Sequence, residues 1–413
     1  MSMARSEPRR RFSALGPRRR FAIAAFAGQA AFAAIAFGGS VASARILGPS
    51  GKGTLTAWTV AATLVALVLS GAYPNGLARA YLQGRRAAVI PTAALHTGAA
   101  LVICAAGSLV ALAVGADPLA VLLFIVIAAP LTVFANDMLV LLTAAKRPWA
   151  YHLPRIAAAA VFSVGACILY FAGHGDRHAA LWGLFALSAL AAALLYLAVC
   201  GGFLGVTGGA EPREMWQLGR GSWGASVADF LLLRCDQLVL VVLVGPAALG
   251  VYAISVNFSE VGQYLGNSIG QALFEDERTL AASSAGRLFR LTALAVGGLC
   301  LVVGAVGWVT IEPFFGHDFI GARTALLLLL PGIAARGVGW AASQMLFARG
   351  GGPDVARVTL QTFAVALPMW VVGALVWDVN GVAAASAVTY GVQMVLMVRR
   401  FRGGRAAAAS RAT

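Results

Sequence analysis

Six ionisable side chains lie inside long apolar stretches of this sequence, where a charge at the centre of a lipid bilayer costs about 3 kcal/mol. Four are carboxylates, which could carry a coupling proton or sodium ion. Two are guanidinium groups, which could hold phosphate oxygens through a bidentate fork. The excess of carboxylates fits an ion-coupled site at least as well as a phosphate clamp. The six residues are Asp137, Asp229, Arg234, Asp236, Glu260 and Arg336.

Three of these residues share one apolar segment, so helical geometry sets their directions. Asp229 and Asp236 are seven residues apart, which places both carboxylates on one face of a helix. Arg234 is rotated from Asp236 by about 160° on the same helix and is expected to face another element. The arginine either contacts a bound ligand or pins its helix to a neighbour through an Arg–Asp pair, and the sequence leaves both interpretations open.

The other ionisable residues also have two interpretations each. Arg336 follows Pro331-Gly332, a pair expected to break the helix and free backbone groups to line a cavity. Glu260 could carry a coupling proton or make an ordinary hydrogen bond between helices. Asp137 fits a gate or a simple polar contact. His96, alone in its segment, is interpreted as a packing residue.

The composition places these residues in a membrane protein. Of 413 residues, 60% are hydrophobic and 11% are charged, against about 25% charged in soluble domains. Mean hydropathy is +0.82. The formal net charge is +15, but the arginines form short clusters between apolar segments, which argues against a nucleic-acid interface. The five cysteines show no CxxC spacing, so we expect no metal and no cofactor.

Runs of about 20 apolar residues predict an all-α polytopic membrane protein with about 12 transmembrane helices. Most basic residues fall on one side of this topology, which predicts that both termini are cytoplasmic. Arg45, Lys52, Arg177 and Arg323 are assigned to the outer side. Gly51-Lys52-Gly53 does not match a Walker motif, so ATP-driven transport is not expected. The predicted parts are a basic tail (1–20), an N-lobe (21–204), a linker (205–222), a C-lobe (223–403) and a second tail (404–413).

A short motif recurs at equivalent places in the two halves. Residues 48–53 and 245–250 both have the form G-P-x-x-x-G, and each follows the first predicted helix of a six-helix set. An even number of helices per half gives both halves the same orientation. The sequence therefore predicts two parallel six-helix lobes around a central cavity, with cargo handled where the lobes meet.

The segments around this motif resemble polysaccharide-repeat flippases of the multidrug/oligosaccharidyl-lipid/polysaccharide exporter superfamily. The resemblance is carried by Arg45–Gly53 and by the second run, Asp236–Leu240 continuing to Gly245-Pro246 and Gly250–Tyr252. Weaker similarity lies in the basic loop from Lys146 to Arg155 and in residues 381–385.

The resemblance implies alternating-access export of polyprenyl-diphosphate-linked oligosaccharide across the bacterial cytoplasmic membrane, for surface polysaccharide synthesis. The implied partners are the lipid-linked oligosaccharide, membrane lipids and polysaccharide polymerase machinery, and no nucleic acid. Arg234 and Arg336 would then contact the cargo. The residues assigned to ion coupling or gating are Asp137, Asp229, Asp236 and Glu260.

Two departures from the family keep a second function open. The peptidoglycan-precursor flippases have fourteen helices, against twelve here, and the intramembrane charge does not lean towards cations. The alternative is a proton- or sodium-coupled drug or metabolite antiporter of the same superfamily, in which Asp229, Asp236 or Glu260 would matter more than either arginine. An enzyme is not expected, because a membrane glycosyl transferase or polymerase usually needs a sizeable loop over the membrane.

Overall fold

Helices form nearly all of the described protein, in a computed structural model that describes residues 17–83, 89–145, 147–173, 177–200, 212–276, 285–348 and 351–410. Within these ranges there is no β-strand. A π-helical segment, Val121–Ala128, joins α4 to α5. The helices are α1 (Pro17–Ser70), α2 (Tyr73–Leu82), α3 (Val89–Ala113), α4 (Pro118–Ala120), α5 (Ala129–Ala144), α6 (Pro148–Ala172), α7 (Arg177–Cys200), α8 (Pro212–Leu243), α9 (Pro246–Asp276), α10 (Ala285–Phe315), α11 (Ala322–Ala348) and α12 (Gly352–Ser410).

Two of these helices are long enough to cross a membrane twice, and each breaks near its middle. In α1 the backbone leaves helical geometry at Gly48, where φ is 65°, and Pro49 then starts the second half. In α12 the break falls at Trp377 and Asp378. Eight stretches are long and apolar enough to span a membrane, including both of these helices. Because α1 and α12 each provide two spans, the eight stretches make ten spans. Helices α8 and α9, which carry ionisable residues, are the other two, and the predicted total of twelve spans is confirmed.

The twelve spans form two lobes, with α1–α7 in the N-lobe and α8–α12 in the C-lobe. Phe124 is fully buried in an N-lobe core against Trp182, and Tyr252 and Trp370 are fully buried in a C-lobe core. Large apolar side chains cover much of the outer surface, as expected for a multi-pass membrane protein whose surface meets lipid. On α3 they are Leu101, Val102, Ile103, Leu109 and Val110.

The repeated G-P-x-x-x-G motifs of the two lobes cross each other. A Cβ atom on Gly53 would collide with the carbonyl oxygen of Pro246, and one on Gly250 would collide with the carbonyl oxygen of Pro49. Gly48 and Gly245 both have positive φ, which glycine adopts at no steric cost. In each motif, therefore, the first glycine makes the turn and the last glycine allows close contact with the other lobe.

A second pair of glycines joins the lobes about 30 Å further along α1 and α2, at the opposite end of the molecule. A Cβ atom on Gly76 of α2 would collide with the carbonyl oxygen of Met215, and one on Gly219 of α8 would collide with that of Ala72. Arg79 donates a hydrogen bond to the carbonyl oxygen of Leu218 over 2.8 Å. The lobes therefore touch at both ends of the second half of α1.

Several predicted boundaries differ from the structure. Helix α8 begins at Pro212, so residues 212–222 of the predicted linker are helical, while residues 205–211 lie outside the described residues. Helix α1 begins at Pro17, within the predicted basic tail, and α12 continues to Ser410. The remainder of each tail, 1–16 and 411–413, lies outside the described residues, as does Lys146 of the basic loop. Composition marks apolar cores well but misses helix ends that project from the bilayer.

Candidate functional site

A cavity of about 570 Å³ lies between the lobes. Its N-lobe wall comes from α1, α5, α6 and α7, and its C-lobe wall comes from α8 and α9. A second pocket of about 280 Å³ shares Phe32, Arg155, Arg234, Val256 and Glu260 with the cavity and extends it into the C-lobe. The cavity is mainly apolar but has four charged residues on its walls, namely Lys52, Arg155, Arg234 and Glu260.

Arg234 and Glu260 form an ion pair on the C-lobe wall. Arg234 Nη2 donates to Glu260 Oε1 over 2.5 Å, and Tyr264 donates to the other carboxylate oxygen over 3.0 Å. The pair joins α8 to α9, so the arginine does face another helix. Its partner is a glutamate of that helix and not the aspartate of the expected Arg–Asp pair.

Asp236 lies inside the C-lobe core and is almost completely buried. Its carboxylate accepts hydrogen bonds from Tyr252 over 2.6 Å and from Ser386 over 3.1 Å. Trp370 donates to the same serine over 2.9 Å. These bonds join α8, α9 and α12, and they satisfy the carboxylate with neutral donors.

Arg336 is also in the C-lobe and does not line the 570 Å³ cavity. Only 2% of the residue is exposed. It donates to Asp229 over 2.8 Å and to Gln393 over 2.9 Å. These residues line a separate pocket of about 270 Å³. Arg336 and Asp229, assigned to cargo contact and to ion coupling, are therefore partners of each other.

The helix break expected at Pro331-Gly332 is wrong. Helix α11 runs through both residues. Gly332 instead allows close packing on α12, where a Cβ atom on it would collide with the backbone of Ala387. A proline inside a transmembrane helix is tolerated where neighbouring groups satisfy the backbone groups that it frees. The Pro-Gly dipeptide alone therefore does not predict whether the helix breaks.

Asp137 is fully buried in α5 and pairs with a histidine that the sequence interpretation had set aside. His96 Nδ1 lies 2.9 Å from Asp137 Oδ2, and His96 Nε2 lies 2.9 Å from the carbonyl oxygen of Leu69. The interpretation of His96 as a packing residue is therefore incomplete. The two residues are 41 positions apart on different helices, and no local spacing links them.

Two cations of the cavity wall were also missed. Lys52, assigned to the outer side, lies inside the second half of α1, is 7% exposed and donates to Ser43 over 2.9 Å. Arg155, assigned to an inner loop, lies inside α6, donates to Gln29 over 3.0 Å and covers the ring of Phe32 at 4.7 Å. Proline favours the first turn of a helix, so Pro49 was the signal that could have placed Lys52 in a helix.

Searches against known proteins give structural neighbours only. No protein-family model matches the sequence, and no curated protein does. A solved structure titled as the inward-facing conformation of a multidrug resistance MATE family transporter of the MOP superfamily aligns with a TM-score of 0.66. It is 15% identical and covers 92% of this chain and 96% of its own. The chain has the MATE transporter fold.

Two further structures support this assignment of the fold. The outward-facing conformation of a multidrug resistance MATE transporter aligns with a TM-score of 0.66 at 14% identity, covering 96% of each chain. A structure of MATE in complex with MaL6 aligns with a TM-score of 0.68 at 14% identity, covering 95% of this chain and 96% of the other. The two-lobe, twelve-helix arrangement is thus shared over nearly the whole length.

The charged side chains of this arrangement can bind a charged ligand and can pass charge to one another. The described residues contain no group of three His, Cys, Asp or Glu side chains placed to hold a metal ion. The cavity offers a mixed surface instead. Two cations and one ion pair face a mainly apolar space, and hydroxyl and amide groups line the same walls.

Proposed function

We propose that the protein is an alternating-access transporter that flips polyprenyl-diphosphate-linked oligosaccharide units across the cytoplasmic membrane for surface polysaccharide synthesis. The observation that carries the proposal is the charge of the cavity wall. Lys52 and Arg155 have no carboxylate within salt-bridge distance among the described residues, whereas Glu260 is paired with Arg234. Taken together, the wall is cationic, which suits a diphosphate.

The cavity also suits the sugar part of such a cargo. Thr56, Thr59 and Thr63 lie on one face of α1 and line the cavity together with Asn136 and Ser188. The three threonine hydroxyls donate to backbone carbonyls of their own helix, but their oxygens can still accept hydrogen bonds. A cavity of about 570 Å³ falls within the range of about 300–1,000 Å³ usual for ligand sites.

Alternating access fits the way in which the lobes touch. The second half of α1 and the following helix α2 each contact the C-lobe through a reciprocal pair of glycines, with the cavity between. Two lobes that meet on both sides of a central site can rock against each other around it. Solved neighbours of the same fold carry titles for an inward-facing and an outward-facing conformation.

A second candidate is a proton- or sodium-coupled drug or metabolite antiporter. The comparisons favour it, because the aligned structures are titled as multidrug resistance MATE transporters. In that function a cationic drug would need a carboxylate in the cavity, and Glu260 is the one that the described lining residues offer. The drug would have to displace Arg234 from Glu260.

Reconstituted protein separates the two candidates. Proteoliposomes would be loaded with a short-chain polyprenyl-diphosphate oligosaccharide in one arm and with a cationic dye plus a proton or sodium gradient in the other. We expect translocation of the lipid-linked sugar, reduced at least tenfold by Arg155→Gln and by Lys52→Gln. Arg400→Gln, which removes a cation far from the cavity at the end of α12, is the matched control. Gradient-driven dye export that Glu260→Gln abolishes, with no sugar translocation, would reject the flippase.

A further inference from the structure

The His96–Asp137 pair lies at a joint of the N-lobe; neither residue lines the central cavity, but Asn136, next to Asp137, does. The second half of α1 ends at Ser70, and α2 starts at Tyr73 after Gly71, where φ is 58°. His96 of α3 touches the last turn of α1 through the carbonyl oxygen of Leu69. A titratable pair is thus hydrogen-bonded to the backbone at the bend between α1 and α2.

Hydrogen-bond chemistry fixes how many protons this pair holds. The Leu69 carbonyl can only accept, so His96 Nε2 must donate to it. At 2.9 Å, His96 Nδ1 and Asp137 Oδ2 need one proton between them, whether it sits on the imidazolium or on the carboxylic acid. Without that proton, the neutral imidazole has one N–H for two acceptors, so one of its two hydrogen bonds must be lost. Asp137 Oδ1 is buried and has no hydrogen-bond partner among the described residues that could offset the charge.

The same joint connects to the contact between the lobes. Tyr73 of α2 packs on His96 with ring centroids 4.7 Å apart, and its other side meets Trp216 of α8 at 6.1 Å. Gly71 also lies against Trp216. Helix α2 then continues into the close approach at Gly76 and Gly219. A change at the His96–Asp137 pair therefore acts on the element that holds the C-lobe at this end.

We propose that His96 and Asp137 form a proton-binding site that keeps this end of the protein closed while the proton is bound. The inference rests on the proposed transport function but does not depend on the cargo. When the proton leaves, the neutral imidazole keeps a single N–H, which Nδ1 donates to the charged Asp137 carboxylate. Nε2 then has no proton for the Leu69 carbonyl, the bond to Leu69 is lost, and the joint between α1 and α2 is free to bend. Helix α2 then separates from α8.

The groups that face the pair come from four elements. Tyr73 of α2 is the titratable side chain that packs on the histidine ring. Asn136, next to Asp137 on α5, donates to Ser70 of α1 over 3.3 Å and is neutral. The π-helical segment that also packs on α3 is wholly apolar. Neutral groups thus surround the pair on these elements, so its own proton dominates the response to pH.

The distance between α2 and α8 tests this inference without any cargo. Spin labels at Leu82→Cys and Arg220→Cys, both exposed positions, would be placed in a background that lacks the native cysteines. Electron–electron resonance would then compare the protein in nanodiscs at pH 6 and pH 9. We expect a single short distance at the lower pH and a longer population at the higher pH.

Three variants make the test specific. Asp137→Asn supplies a permanent N–H towards His96 Nδ1 and should keep the short distance at both pH values. His96→Gln should lose the pH response as well, and it serves if the first variant fails to fold. His152→Gln removes a buried histidine of α6 whose Nδ1 has no partner in the part of the chain that the structure describes, and it should respond like the parent protein.

Two results would overturn the inference: a parent distance that is independent of pH, or an Asp137→Asn protein that responds like the parent. A retained pH response in a protein that does not translocate lipid-linked sugar would reject the proposed cargo alone.

Discussion

Replacing either glycine of the motif crossing tests how the lobes are held together. Gly53→Ala puts a methyl group against the carbonyl oxygen of Pro246, and its Cβ would also lie 2.9 Å from the backbone nitrogen of Gly250. Both obstacles are backbone atoms, which cannot rotate away. Overpacking of this kind costs about 1–3 kcal/mol, and we expect the upper half of that range. The closed contact should lose population relative to the open one by about 30- to 150-fold.

The crossing is reciprocal, so a double-mutant cycle gives a sharper result. Gly250→Ala meets the carbonyl oxygen of Pro49 and lies 3.1 Å from the nitrogen of Gly53. Once the first methyl group has separated the helices, the second has room. The two effects should therefore add to clearly less than their sum. Gly38→Ala is the matched control on α1, because nothing lies within 4 Å of its Cβ position.

Thiol cross-linking across this end of the molecule measures the effect. Cysteines at Arg45 and Phe314 would be joined by a short cross-linker, because Arg45 donates to the Phe314 carbonyl oxygen over 2.7 Å. We expect the rate of cross-linking to fall in Gly53→Ala and in Gly250→Ala and to be unchanged in Gly38→Ala. An unchanged rate in both test variants, with normal expression and melting temperature, would refute the argument that the glycines hold the lobes in contact.

Three further predictions concern the polar networks. Arg336→Met leaves Asp229 without its partner in the C-lobe and should destabilise the protein by about 3 kcal/mol, seen as a lower melting temperature that a second change, Asp229→Leu, largely restores. Tyr252→Phe removes one donor to Asp236 and should cost about 1–3 kcal/mol; an unchanged melting temperature would show that Ser386 and the backbone N–H of Gln237 satisfy the carboxylate. Glu260→Gln releases Arg234 into the cavity and should strengthen binding of inorganic diphosphate, measured by calorimetry, whereas weaker binding would contradict an anionic cargo.

The fold could be predicted from the sequence because the signals for it are local. A run of apolar residues indicates a membrane span, whichever elements the helix packs against. The motif at Gly48 and Gly245 reports a turn, since glycine at positive φ followed by proline stops one helix and starts the next. These signals gave twelve spans in two parallel lobes. Helix ends outside the bilayer, such as the start of α8 at Pro212, have no comparable signal.

The site was only partly predictable because its partners come from distant segments. The direction of Arg234 followed from its rotation on α8, but the choice of Glu260 as partner depends on how α9 lies beside it. Lys52 and Arg155 were assigned to loops, since a cation near the end of an apolar run is equally compatible with a loop and with a cavity. His96 and Asp137 are brought together by α3 packing on α5. Composition and residue spacing do not predict which helices pack on each other.

The two glycine contacts also set a mechanical property of the molecule. They lie about 30 Å apart, connected by the second half of α1 and the start of α2, so the contact at Gly53 and Gly250 can act as the pivot of a lever. A rotation of about 10° around that pivot displaces the far end by about 5 Å, roughly the width of a sugar ring. The glycine crossing thus lets a modest rotation at one end become a wide opening at the other.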